Sequence, residues 1–128
     1  MALRDQIRIM VVDDMSTSRG LITQTLDACG VINVFTADDG ADALQQLARA
    51  PVHLVISDYN MPNMDGLQLL HHLRHNEKTK GVGFILITGR AEQQIIDHGR
   101  RLGMNNFLKK PFEQATLRQC IETVVGPL

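Results

Sequence analysis

The chain has 128 residues, 44% hydrophobic and 21% charged, with a net charge of −1. That length suits one domain with one core, and the even charge balance supplies no basic surplus for holding nucleic acid. No apolar run approaches the ~20 residues of a membrane span, and MALRDQIRIMVV lacks the layout of a secretory leader.

In chain order, short β-branched runs at Ile7–Val12, Ile32–Thr36, Val52–Ser57, Val82–Thr88 and Asn105–Lys109 predict five strands. Helical spacing fills the intervals. Ser18, Ile22, Thr25 and Cys29 mark a first helical face, and Ala41, Leu44 and Ala48 a second. Leu67, Leu70 and Leu73 begin a third. Ile95, Gly99 and Leu102 give a weaker fourth, and Leu117, Ile121, Val124 and Val125 a fifth. Strands apolar on both faces, alternating with helices, indicate a parallel sheet covered on two sides. The predicted fold is α/β: one doubly wound (βα)5 domain of flavodoxin-like type, sheet order 2-1-3-4-5, filling residues 1–128. Cys29 and Cys120 form no CxxC pair and fall in apolar helical patterns, so they read as reduced core thiols.

Ligands of an open parallel sheet bind beyond the carboxyl ends of its strands, where strand order reverses. The residues closing the strands are therefore the ones to read. The first strand ends in Asp13-Asp14, the third in Asp58, the fourth in Thr88 and the fifth in Lys110-Pro111. The expected order makes the first and third strands neighbours, which gathers Asp13, Asp14 and Asp58. At ~5 Å and an effective dielectric of about 20, each pair of carboxylates repels by roughly 3 kcal/mol. Such a cluster takes up protons or recruits a cation. Few carboxylates with room for water suit Mg²⁺ better than a Ca²⁺ cage. A phosphoryl group held there could meet the Lys110 ammonium and the Thr88 hydroxyl, with Asp58 as nucleophile.

Helix capping competes with this reading. Asp14 or Ser16 could simply start the first helix, Lys110 could be a solvated surface lysine, and Thr88 an ordinary strand-end residue. Asp65 precedes Gly66 with Gln68 three residues on, a capping-box pattern. Asp38-Asp39 read as the start of the second helix. His71 and His75 share a helix face at metal-gripping spacing, but no further ligand completes a site, so HHLRH reads as a solvated face. His53 and His98 carry no signal. Arg90, Arg100, Arg101, Lys109 and Lys110 tilt the later chain towards basic, either as ordinary surface or as a face for an acidic peptide.

Four stretches together, VVDDMSTSR, ISDYNMPNMDG, ILITG and FLKKPF, resemble the signature blocks of bacterial response-regulator receiver domains, over about residues 5–125. Within that family the chain looks most like the stand-alone chemotaxis regulators, which lack an output domain. The resemblance implies a two-component signalling protein. Asp58 would accept a phosphoryl group from a histidine kinase of the chemotaxis type. Asp13, Asp14 and Asp58, with the backbone carbonyl of Asn60, would bind Mg²⁺, or Mn²⁺ in its place. Lys110 would pair with the phosphoryl oxygens. Thr88 would reorient towards them, and Phe107 would change rotamer with it. The Lys110–Pro111 bond would be cis. The face formed by the fourth helix, fifth strand and fifth helix would then bind a protein target, the flagellar motor switch or another signalling protein. Asn60, Gly89 and Arg90 occupy positions at which the family tunes dephosphorylation. Phe107 stands where chemotaxis members usually carry Tyr, Gly89 where Ala is commonest, and Tyr59 where Trp is frequent.

On this basis the protein is expected to be a cytoplasmic monomer without nucleic-acid or membrane partners, served by a phosphatase in some pathways. It would be no enzyme beyond its own phosphorylation and slow autodephosphorylation. A phosphate sink or phosphorelay intermediate would use the same site chemistry. A haloacid-dehalogenase-type phosphohydrolase would place its nucleophile after the first strand as DxDxT, whereas this chain has DDMST there. A flavodoxin-like electron carrier would need an acid-poor loop at that point, where Asp13-Asp14 would repel a flavin phosphate.

Overall fold

The computed structural model describes residues 2–90 and 92–128. Five parallel strands, β1 Arg8–Val12, β2 Asn33–Ala37, β3 Leu54–Asp58, β4 Gly83–Thr88 and β5 Asn106–Lys109, stand in the order β2-β1-β3-β4-β5. This is the predicted doubly wound arrangement, with strand bounds moved by one or two residues. Ile32 falls outside β2 and is exposed, because the ladder with β1 begins at the pair Arg8–Asn33.

The helices are α1 Leu3–Gln6, α2 Ser16–Ala28, α3 Gly40–Arg49, α4 Gly66–Arg74, α5 Gln93–Leu102 and α6 Gln114–Val125. The single turn of α1 was not foreseen. It buries no residue, so no periodic pattern marks it in the sequence.

The pleat of the strands splits the core into two layers. Met10, Val12, Val55, Phe84 and Leu86 face one side, where α3, α4 and α5 pack. Ile9, Val11, Leu54, Ile56, Ile85 and Ile87 face the other, against α2 and α6. The central strands β1, β3 and β4 are buried almost throughout, as a sheet covered on both faces requires.

Helix α3, the second of the helices expected from the sequence, buries a different face from the expected one. Its buried residues are Gly40, Ala43 and Leu47, whereas Ala41 and Ala48 face solvent and Leu44 is half-buried. Ala fits either face of a helix at little cost, so a face marked by two alanines and one leucine is poorly determined. Asp39 caps this helix, accepting the Asp42 N–H at 2.8 Å. Asp65 caps α4 in a complete capping box with Gln68, both bonds being 2.8 Å.

Gly66 fixes the approach of α4 to the sheet. A Cβ there would lie 2.6 Å from the Asp58 carbonyl oxygen and 2.8 Å from Leu86 Cδ1. The Gly66 N–H also donates to the Tyr59 carbonyl at 2.9 Å. The start of α4 is thus seated directly on the end of β3.

Candidate functional site

Hydrogen bonds one residue past β1, β3 and β5 carry the sheet's register into the loops. Asp13 N–H donates to Ala37 O at 3.1 Å, Tyr59 N–H to Ile87 O at 2.8 Å, and Lys110 N–H to Thr88 O at 2.8 Å. The side chains that close β1, β3, β4 and β5 therefore share one edge of the sheet. Asp13, Asp58 and Thr88 are buried, Lys110 is half-buried and Asp14 is exposed. Asp13, Asp14 and Asp58 each offer a carboxylate oxygen, and these oxygens lie within 4.8 Å of one another.

Lys110 answers only part of that charge. Its Nζ is 3.0 Å from Asp58 Oδ1, a charge-assisted hydrogen bond. It is 3.8 Å from Asp13 Oδ2, too far for one. Asp13 Oδ1 accepts the Met15 N–H at 3.0 Å, whereas Asp13 Oδ2 is buried with no hydrogen-bond partner among the described residues. A buried carboxylate oxygen left without a donor costs about 1–3 kcal/mol or more unless a cation or water meets it. Burial pushes the Asp58 carboxyl above its ordinary value. Lys110 opposes that shift through its hydrogen bond and its charge, and Asp13 and Asp14 add to it.

The donor set fits a hard divalent cation. It consists of carboxylate oxygens, it carries three acids against one ammonium, and it includes an oxygen with no other partner.

The capping explanation of Asp14 fails. The N-cap of α2 is Met15, with no side-chain cap, and the acid that bonds into this turn is Asp13. Around the cluster, Thr88 Oγ1 accepts the Arg90 N–H at 2.9 Å. Arg90 pairs with Glu92 at 3.0 Å. Asn60 and Gly89 are exposed, and a Cβ at Gly89 would meet nothing within 4 Å. Phe107 is half-buried and packs on the cluster of α3, α4 and α5, with the Arg100 guanidinium 5.9 Å from its ring centroid. The Lys110–Pro111 peptide bond is cis. His71 and His75 stack 4.1 Å apart on the exposed end of α4, where His75 Nδ1 meets the His71 carbonyl at 2.8 Å. The metal-competent group found among the described residues is the Asp cluster alone.

The sequence reading missed Arg19. Its Nη1 donates to the Asp13 carbonyl at 2.7 Å and pairs with Asp38 Oδ1 at 3.2 Å. Neither partner is a helical neighbour, so no local pattern announces the contact.

Residues 9–122 match the family described as "Response regulator receiver domain". The chain belongs to that family. A receiver described as "Probable chemotaxis protein CheY" from Rhizobium etli is 38% identical over 128 residues, covering 100% of this chain and 99% of its own. The structure of chemotaxis protein CheY4 of Vibrio cholerae aligns with a TM-score of 0.87 at 30% identity, over 92% of this receiver and 98% of that chain. The receiver domain of a sensor histidine kinase from Pseudomonas aeruginosa aligns at 0.84 and 27% identity, over 94% of this receiver and 98% of that chain. Its structure has a magnesium ion coordinated in the active site cleft. This receiver is CheY-like in sequence and fold, and no helix among its described residues is long and apolar enough to cross a membrane.

Proposed function

We propose that the protein is a phosphorylation-operated chemotaxis switch whose phosphoryl acceptor is Asp58. The observation that carries this is the contact of the buried Asp58 carboxylate with Lys110 Nζ at 3.0 Å, inside a cluster of acids only partly neutralised. A phosphohistidine of a kinase is the donor. An Asp58 oxygen forms the new O–P bond as the donor's N–P bond breaks, and the released electron pair returns to the imidazole nitrogen. Asp13, Asp14, Asp58 and the Asn60 carbonyl would hold Mg²⁺, which supplies countercharge to the phosphoryl oxygens. Lys110 supplies a second positive charge. Thr88 turns its hydroxyl to the new anion, and Phe107 repacks with it. The surface of α5, β5 and α6 then binds its target, which we assign to the flagellar motor switch on the strength of the chemotaxis relatives.

The test is intact-mass measurement after incubation with Mg²⁺ and acetyl phosphate. One phosphoryl adduct is expected, absent in Asp58→Asn and suppressed by chelator. An adduct that survives Asp58→Asn removes the acceptor assignment, and one that ignores chelator removes the metal. Titrating a motor-switch peptide with the beryllofluoride form tests the target. Equal affinity with and without beryllofluoride leaves a phosphate sink as the role.

A further inference from the structure

We infer that Arg19 is a positioning residue for the cation site, acting through Asp13; this rests on the cation-binding reading above. Asp13 is held at three of its four polar groups. Its N–H donates to Ala37 O at 3.1 Å, its carbonyl accepts Arg19 Nη1 at 2.7 Å, and its Oδ1 accepts Met15 N–H at 3.0 Å. The fourth group, Oδ2, is buried and accepts no hydrogen bond from the described residues, with Lys110 Nζ 3.8 Å away. With the other three fixed, the side chain has little freedom to turn Oδ2 elsewhere. The bond to Arg19 is the shortest of the three and is charge-assisted.

Arg19 closes a ring. Its guanidinium joins Asp13 O to Asp38 Oδ1, and Asp38 follows Ala37, whose carbonyl takes the Asp13 N–H. The ring links α2, the end of β1 and the end of β2. It also fixes the Asp13–Asp14 peptide plane, and so the relation between the two acids.

A guanidinium near a cation site could also act by repulsion. Here Asp38 pairs with that charge, so the field it projects into the cleft is small. Asp38 is largely exposed, so the ion pair itself is screened by solvent and weak. Positioning of the Asp13 carbonyl is therefore the larger effect.

The experiment is calorimetric titration of Mg²⁺ into wild type, Arg19→Ala, Arg19→Lys and Asp38→Asn, with metal-free melting temperatures measured alongside. Residues that orient metal ligands typically change affinity 10–100-fold, so Arg19→Ala is expected to bind Mg²⁺ roughly tenfold more weakly. Arg19→Lys keeps a cationic donor and should recover most of that loss. Asp38→Asn keeps the bond to Asp13 and should fall between wild type and Arg19→Ala. If Arg19→Ala does not fold, Arg19→Met retains the apolar stem and replaces it. Wild-type affinity in the folded Ala or Met variant overturns the inference. Wild-type protein that takes up no Mg²⁺ overturns the cation reading itself, a separate result.

Discussion

The hydroxyl of Thr88 accepts the Arg90 N–H at 2.9 Å, so in the unmodified protein it is engaged by the loop after β4. Turning it towards a phosphoryl group on Asp58 leaves that N–H without its partner. Amide exchange at Arg90 is therefore expected to quicken several-fold when beryllofluoride is added with Mg²⁺. In Thr88→Ala the exchange should already be fast and should respond no further. Unchanged exchange in wild type on beryllofluoride addition would show that Thr88 stays where it is.

Lys110 has two opposed effects in the proposed mechanism. It neutralises the transferring phosphoryl group, yet it sits 3.0 Å from one carboxylate and 3.8 Å from another in the cleft that would hold a cation. Lys110→Ala should slow phosphorylation by acetyl phosphate by about 10²-fold, the scale of losing one preorganised donor. Its Mg²⁺ affinity should rise at the same time, because a competing positive charge has gone. Joint loss of both would mean collapse of the pocket rather than removal of a catalytic charge.

Asp58 carries a consequence for stability. Its carboxyl titrates above the ordinary range in the folded protein, chiefly because it is buried. The folded state therefore binds this proton more tightly than the unfolded chain does. Ionised Asp58 costs stability at neutral pH, and the cost fades as pH falls through the raised value. It is gone below the unfolded value, near pH 4. Without metal, Asp58→Asn should melt higher than wild type at pH 7, because the ionised carboxylate is the disfavoured form in this buried setting. The two melting temperatures should converge towards pH 4. Millimolar Mg²⁺ should narrow the gap at pH 7 by stabilising wild type more than the variant. A gap that widens on acidification would contradict the assignment of the cost to Asp58.

Much of this arrangement is legible in the sequence, for a definite reason. A buried parallel strand is a continuous apolar run, so the polar residue that ends it stands out, and Asp13, Asp58, Thr88 and Lys110 do stand out. Strand order then brings them together. Less was legible wherever the residue type is ambivalent or the partner remote. Alanines misplaced the buried face of α3. The single turn of α1 has no apolar face to read. Arg19 reaches Asp38, 19 positions along the chain by its numbering, through a contact that only the tertiary fold creates. The cis bond at Pro111 came from family resemblance, since Lys-Pro alone does not specify an isomer.

Gly66 offers a test of how the scaffold holds Asp58, the proposed acceptor. Adding one methyl group brings it 2.6 Å from the Asp58 carbonyl oxygen and 3.1 Å from Tyr59 Cα, both backbone atoms that cannot swing aside. Either α4 moves off the sheet or the end of β3 moves with it. Overpacking of this kind costs about 1–3 kcal/mol, so Gly66→Ala should lower the melting temperature by several degrees. Displacement of Asp58 should also slow phosphorylation in the fraction that remains folded. Gly89→Ala is the matched control, since its Cβ meets nothing within 4 Å, and its melting temperature should stay close to that of wild type. Tyr59 is the single tyrosine of a chain without tryptophan, so its emission reports on this same loop. A shift in that emission in Gly66→Ala, absent in Gly89→Ala, would locate the disturbance at the end of β3. Loss of stability with normal phosphorylation and unchanged Tyr59 emission would mean that α4 yields and the strand does not.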